Sequence, residues 1–170
     1  MPPDNFQKLT VPSVAHRTSP TNMGLALHAN LTAYDFGYLT AKQLIERTSN
    51  AFRTMASLEQ HRNHFYNWYD TRTLRPLLPM YVSTVDSGNL AGYVLTLRAG
   101  LLALADDPIL SRRAFAGLAD TLDVLQESIG ADAGAALAAL RQEVGSDTVA
   151  GPMPLRDAKR RLDRLVELAG

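Results

Sequence analysis

The sequence predicts an all-α fold, and three observations carry that prediction. Apolar residues recur at helical spacing over most of the chain. Helix-start signals precede those stretches: Ser19-Pro20, Thr40 with Gln43, and Ser83 with Asp86. Strand-like alternation never lasts more than a few residues, and no Asn-Gly hairpin turn occurs. The expected architecture is about six helices paired as antiparallel hairpins.

Residues 1–18 hold Pro2, Pro3 and Pro12 with little periodicity and read as an extended N-terminal segment, leaving 19–170 as a single helical domain. The first helix takes Ser19 as N-cap and Pro20 at its first position. It carries Leu25, Leu27, His28, Leu31 and Tyr34 before Gly37 stops it. The Thr40/Gln43 capping box opens a second helix through Leu44, Thr48, Phe52, Met55 and Leu58. Between His61 and Val82 the run Phe65-Tyr66-Asn67-Trp68-Tyr69-Asp70 and two prolines, Pro76 and Pro79, predict a long structured loop. Ser83 starts a third helix with Leu90, Val94, Leu97, Leu101 and Leu104 in register, and Asp106-Asp107-Pro108 closes it. Phe115, Leu118, Leu122, Leu125 and Ile129 form the strip of a fourth helix that Gly130 ends. An alanine-rich helix over Ala131 to Val144 and a last helix from Pro154 to Leu168 complete the reading.

A chain of 170 residues with 46% hydrophobic content can bury one sizeable core. Its 17 basic and 17 acidic side chains cancel, so the electrostatic attraction behind nucleic-acid and anionic-membrane binding is missing and no nucleic-acid partner is expected. The absence of cysteine excludes disulfides, thiolate metal sites and thiol nucleophiles. The longest apolar run, Leu101 to Ala105, falls far short of the roughly 18 to 20 residues of a spanning helix, and Met1-Pro2-Pro3-Asp4 is no signal peptide. A soluble segment without membrane contact of its own is therefore expected.

Three polar clusters stand where loops enter helices: Arg17-Thr18-Ser19-Pro20-Thr21-Asn22, Asn67-Trp68-Tyr69-Asp70-Thr71 and Ser83-Thr84-Val85-Asp86-Ser87-Gly88-Asn89. In a hairpin array the loops entering alternate helices lie on one face, so these clusters are expected to meet. Helix capping accounts for Ser19, Ser83 and Asp86 taken singly. It does not account for Asn22, Asn89 or Gly88, which would lie within the first helical turns, where they are unfavourable relative to Ala. Aromatic rings beside carboxylates and amides suit a sugar, whose apolar face packs on a ring while its hydroxyls find Asp, Asn and Arg. The candidate binding residues are Arg17, Thr18, Asn22, Tyr66, Asn67, Trp68, Tyr69, Asp70, Ser83, Asp86, Ser87 and Asn89.

Other chemistry is poorly supported. His61 and His64 lack a third ligand at useful spacing, so no metal is expected. With neither phosphate loop nor dinucleotide fingerprint, no cofactor is expected. Ser, His and Asp are present without a Gly-x-Ser-x-Gly elbow, and no catalytic residue is assignable. The basic last helix interleaves Arg156, Lys159, Arg160, Arg161 and Arg164 with Asp157, Asp163 and Glu167, the pattern of a solvated face.

The runs Val14-Ala15-His16-Arg17-Thr18-Ser19-Pro20-Thr21-Asn22-Met23-Gly24-Leu25, His64-Phe65-Tyr66-Asn67-Trp68-Tyr69-Asp70-Thr71-Arg72-Thr73-Leu74 and Tyr81-Val82-Ser83-Thr84-Val85-Asp86-Ser87-Gly88-Asn89-Leu90-Ala91-Gly92 closely resemble the central region of the bacterial cyclic β-1,2-glucan synthases. The match is dense from Val14 to Leu102. The resemblance implies a large inner-membrane parent that joins three activities: a glycosyltransferase using UDP-glucose, a glucoamylase-like domain that cyclises β-1,2-glucan, and a phosphorylase-like domain. It implies that this chain is a fragment, the opening half of an (α/α)6 toroid that binds sugar across one end. Such a segment is expected to be inactive alone, to face the cytoplasm, and to take β-1,2-glucan and the rest of the parent polypeptide as partners. Its open apolar flank predicts a homodimer. Asp70 and Asp86 stand in the matching runs and are expected to orient sugar. The alternative reading is a non-catalytic helical interaction module within a larger protein.

Overall fold

The structure, a computed structural model, describes residues 1–8, 10–108, 110–129, 134–145 and 153–169. Its elements are, in order, β1 (Phe6–Gln7), β2 (Ser13–Val14), β3 (Arg17–Thr18), α1 (Pro20–Asp35), α2 (Ala41–Ala56), β4 (Gln60–His61), β5 (His64–Phe65) and β6 (Tyr69–Asp70), followed by α3 (Thr84–Ala103), a 3-10 turn (Leu104–Asp106), α4 (Arg112–Ile129), α5 (Ala135–Gly145) and α6 (Leu155–Ala169). The all-α class holds, with six α-helices among the described residues. Gly130, Ala131 and most of the 145–154 connection lie outside them.

Helix boundaries follow local chemistry. Ser19 Oγ accepts from the Asn22 backbone N–H at 3.3 Å, which makes Ser19 the cap of α1, and Pro20 needs no partner because it has no N–H. Ser83 caps α3 in an extended conformation (φ −91°, ψ 124°) by accepting from the Asp86 N–H. Past the end of α1, Gly37 takes φ +78°, a left-handed conformation that costs other residues about 1–2 kcal/mol.

The chain divides into two compact units, residues 1–32 with 42–105 and residues 33–41 with 106–170. In the first, α1 contributes Met23 and Leu27, α2 contributes Met55, and α3 contributes Leu90 and Leu97 to a core closed by Leu58 and Tyr69. Three short antiparallel ladders surround that core: β1 with β2, β3 with β6, and β4 with β5. One of these hairpins closes tightly without the Asn-Gly pair that sequence patterns look for. Arg62 and Asn63 join β4 to β5 with φ of 49° and 66°, a mirror-image turn that Asn tolerates and that needs no glycine.

The second unit has its own core of Phe115, Leu122, Leu137, Val144 and Leu165, with α5 packed against both α4 and α6. Arg161 is not a solvated charge on α6. Its guanidinium lies 4.0 Å over the Phe115 ring and donates to the Glu143 and Val144 carbonyls at 2.9 and 2.7 Å, closing the C-terminal end of α5. Lys159 and Asp163 do pair at i, i+4 (2.6 Å).

The membrane criterion also reads differently once the helix is whole. Thr84–Asp106 is long and apolar enough to cross a bilayer by length and composition, with a mean hydropathy of 1.3. Leu90 and Leu97 on this helix are nevertheless core residues of the first unit, while Val85, Leu95 and Leu102 are exposed. Counting only unbroken apolar runs missed it, because Thr96 and Arg98 interrupt the sequence without ending the helix.

Candidate functional site

The β3–β6 ladder brings the first two polar clusters together, with Arg17 opposite Asp70 and Thr18 opposite Tyr69. Alternation along a strand then sorts their roles. Thr18 and Tyr69 are fully buried. The Tyr69 phenol donates to the Glu59 carbonyl at 2.6 Å and accepts from the Tyr66 N–H at 2.8 Å, so it pins the loop to the core, and its burial raises its pKa. Tyr66 is half-buried and packs against the core.

Asp86 joins all three clusters. Its Oδ1 accepts from the Thr21 hydroxyl at 2.7 Å. Thr21 in turn accepts from the Asn89 amide at 3.1 Å. On the other side lies Asn67, which is buried. With its amide oriented to match its neighbours, Asn67 donates to Asp86 Oδ2 (2.9 Å) and accepts from the Trp68 indole N–H (2.6 Å) and the Tyr81 hydroxyl (2.7 Å). Burial pushes the Asp86 carboxyl up, but hydrogen bonds from Ser83, Thr21 and Ser19 outweigh it and hold the pKa below its ordinary value.

A second carboxylate organises Arg17 and Asn22. Asp4 accepts from Arg17 Nε and Nη2 at 3.1 and 2.9 Å and from the Asn22 amide at 3.1 Å. The Asn22 hydrogen bond is the largest influence and lowers its pKa; burial opposes it, and the hydrogen bond and charge of Arg17 add to the lowering. The Arg17 guanidinium also lies 4.5 Å over the Trp68 ring, within cation–π range. Asp70 folds its own loop: Oδ1 accepts from the Thr73 and Arg72 N–H groups at 2.8 Å each, which lowers its pKa. Ser87 donates to the Ser83 carbonyl at 2.8 Å.

The structure therefore gathers Arg17, Asn22, Asn67, Trp68, Asp86 and Asn89 into one linked polar network, and Ser83 caps the helix that carries it. Trp68 and Ser87 stay half-buried, while Arg17 and Asn89 are exposed. Sequence reasoning missed Asp4, Thr21 as a bridging hydroxyl, and Tyr81. Asp4 lies in a segment read only as extended; its position before Asn5, in a stretch rich in turn formers, is the one signal that could have flagged it. Among the described residues no group of three or more His, Asp and Glu side chains could hold one metal ion.

An all-α segment whose inter-helix loops are tied into a polar, tryptophan-bearing face is the class of protein these features define. No family model matches the chain. Over 130 residues, 76% of its length, it is 38% identical to the cyclic beta-(1,2)-glucan synthase NdvB of Rhizobium meliloti (strain 1021), and it spans 5% of that protein's length. The resemblance to the cyclic β-1,2-glucan synthases is thus borne out as similarity to a segment of one.

Proposed function

We propose that this chain is a glucan-binding segment of a cyclic β-1,2-glucan synthase, part of the glucoamylase-like domain that cyclises the glucan. Its helices form half of an (α/α)6 toroid, and the catalytic acid and nucleophile lie elsewhere in the parent. The observation that carries the reading is the 38% identity to the synthase over three quarters of the chain. The linked face around Trp68 supports it, since an aromatic ring beside amide, guanidinium and hydroxyl groups is the chemistry that holds a pyranose. In this reading the segment belongs to the cytoplasmic side of an inner-membrane parent, and the rest of that polypeptide is its partner.

The test is calorimetric titration of the chain with linear β-1,2-glucan oligosaccharides, with mass spectrometry of the mixture. Binding without cyclic product or shortening is expected. Turnover would place the catalytic pair in this segment. The absence of binding would favour the second reading, a structural interaction module. One observation speaks for that alternative: the polar atoms of Asn67, Asp86 and Tyr69 already find partners inside the protein.

A further inference from the structure

On the side of the β3–β6 ladder away from the core lies a cleft of about 500 Å³, within the range of small-ligand sites. Strand alternation builds its floor. Gln7 of β1, Asn5 just before that strand, and Ser13, paired with Gln7 on β2, line it together. Arg17, Asp70 and Arg72 form its wall. His16 also borders it, its ring fixed by a 3.2 Å contact between Nδ1 and the Thr71 hydroxyl.

Two features make this a prepared surface. Asp70 Oδ1 is held by the backbone N–H groups of Arg72 and Thr73, which orients the carboxylate toward the cleft it lines. The side chains of Asn5, Gln7, Ser13 and Arg72 have no hydrogen-bond partner among the described residues, so their donors and acceptors are available to a ligand. Charge then selects the ligand class. Arg17 is neutralised by Asp4 at 2.9 Å, and Arg72 and Asp70 offset one another. A balanced wall with amides and a hydroxyl beneath it favours a neutral polyhydroxyl compound over an anion.

We propose that this cleft between the β1–β2 hairpin and the β3–β6 ladder is a saccharide subsite, in which Asp70 and Arg72 hydrogen-bond the hydroxyls of a glucan chain. The proposal rests on the glucan-binding reading above and extends it to a place outside the Trp68–Asp86 network. Arg17 is shared by the two, since its guanidinium stacks on Trp68 and lines the cleft.

The experiment is calorimetry of the full chain with linear β-1,2-glucan oligosaccharides, comparing wild type with Arg72→Ala and Gln7→Ala. Both residues are exposed, and unchanged circular dichroism confirms that the variants fold. Affinity is expected to fall about tenfold or more for Arg72→Ala and a few-fold for Gln7→Ala, as for lost charged and neutral hydrogen bonds. Wild-type affinity in both variants would overturn the subsite and leave glucan binding standing. No binding by the wild-type chain would overturn both. Inorganic phosphate is the third probe: if it bound more tightly than the oligosaccharides and lost its affinity in Arg72→Ala, the cleft would be an anion site and the saccharide assignment would fall.

Discussion

Asp86 shows how a residue changes meaning once its neighbours are known. As a helix cap alone it would be replaceable by Asn at little cost, because the two cap equally well. In the structure its carboxylate accepts from the Thr21 hydroxyl and the Asn67 amide, and only a group with acceptors on both oxygens can do so. Asp86→Asn sets an N–H₂ against one of those donors and is expected to cost about 1–3 kcal/mol, with Asp86→Ala at the upper end or beyond. Urea denaturation measures this; an Asn variant as stable as wild type would show that the network does not hold the loops. The role of Asp86 was half legible in sequence, since the Ser-x-x-Asp spacing marks the cap. Thr21 and Asn67 stand 65 and 19 residues away, and no local pattern reports such a partner. Tyr69 was illegible for a related reason. It stands in a run of mixed aromatic and polar residues, between Trp68 and Asp70, with no apolar period to assign its side, and only the Thr18 pairing shows that it faces inward.

Helices carried their boundaries in the sequence because caps, Pro20 and Gly37 are local signals. The ladders did not, because each strand is two residues long and two residues contain no period to read. Two glycines separate conformational need from mere presence. Gly37 has positive φ, and a Cβ there would run into the Arg113 backbone. Gly37→Ala is therefore expected to destabilise the second unit by at least about 1–2 kcal/mol. Gly88, in the first turns of α3, has open space around its missing Cβ. Gly88→Ala is expected to stabilise the helix by about 0.5–1 kcal/mol. Thermal melts check both signs, and a loss of stability at position 88 would mean that α3 needs glycine there for a reason other than propensity. If instead the alanine variant melts higher but binds glucan less well, the bare backbone at 88 serves ligand approach.

For the molecule as a whole, the titrating groups of the first unit bracket a stability plateau. Asp4, Asp70 and Asp86 all have carboxyls lowered from 3.8, so their contribution is present above that pH and is lost as acid drives the pH down through their folded values. Tyr69 is raised from 10.0 by burial, so its contribution is present below pH 10.0 and is lost as the pH rises through the higher folded value. Urea midpoints should fall on both sides, and Asp86→Asn should flatten the acid limb; a midpoint that ignored acid would contradict the carboxylate network. Exposed Val85, Leu95 and Leu102 on α3 lead to an expected homodimer, visible as a mass that rises with concentration in light scattering. A monomer mass throughout would refute it. The sole tryptophan of the chain has a guanidinium over its ring and an amide oxygen on its indole N–H. Its fluorescence is therefore a built-in optical probe of this one spot, whose emission wavelength and quenching should respond when Arg17 lifts away or Asn67 lets go, with no dye attached and no second fluorophore of its kind to confuse the signal.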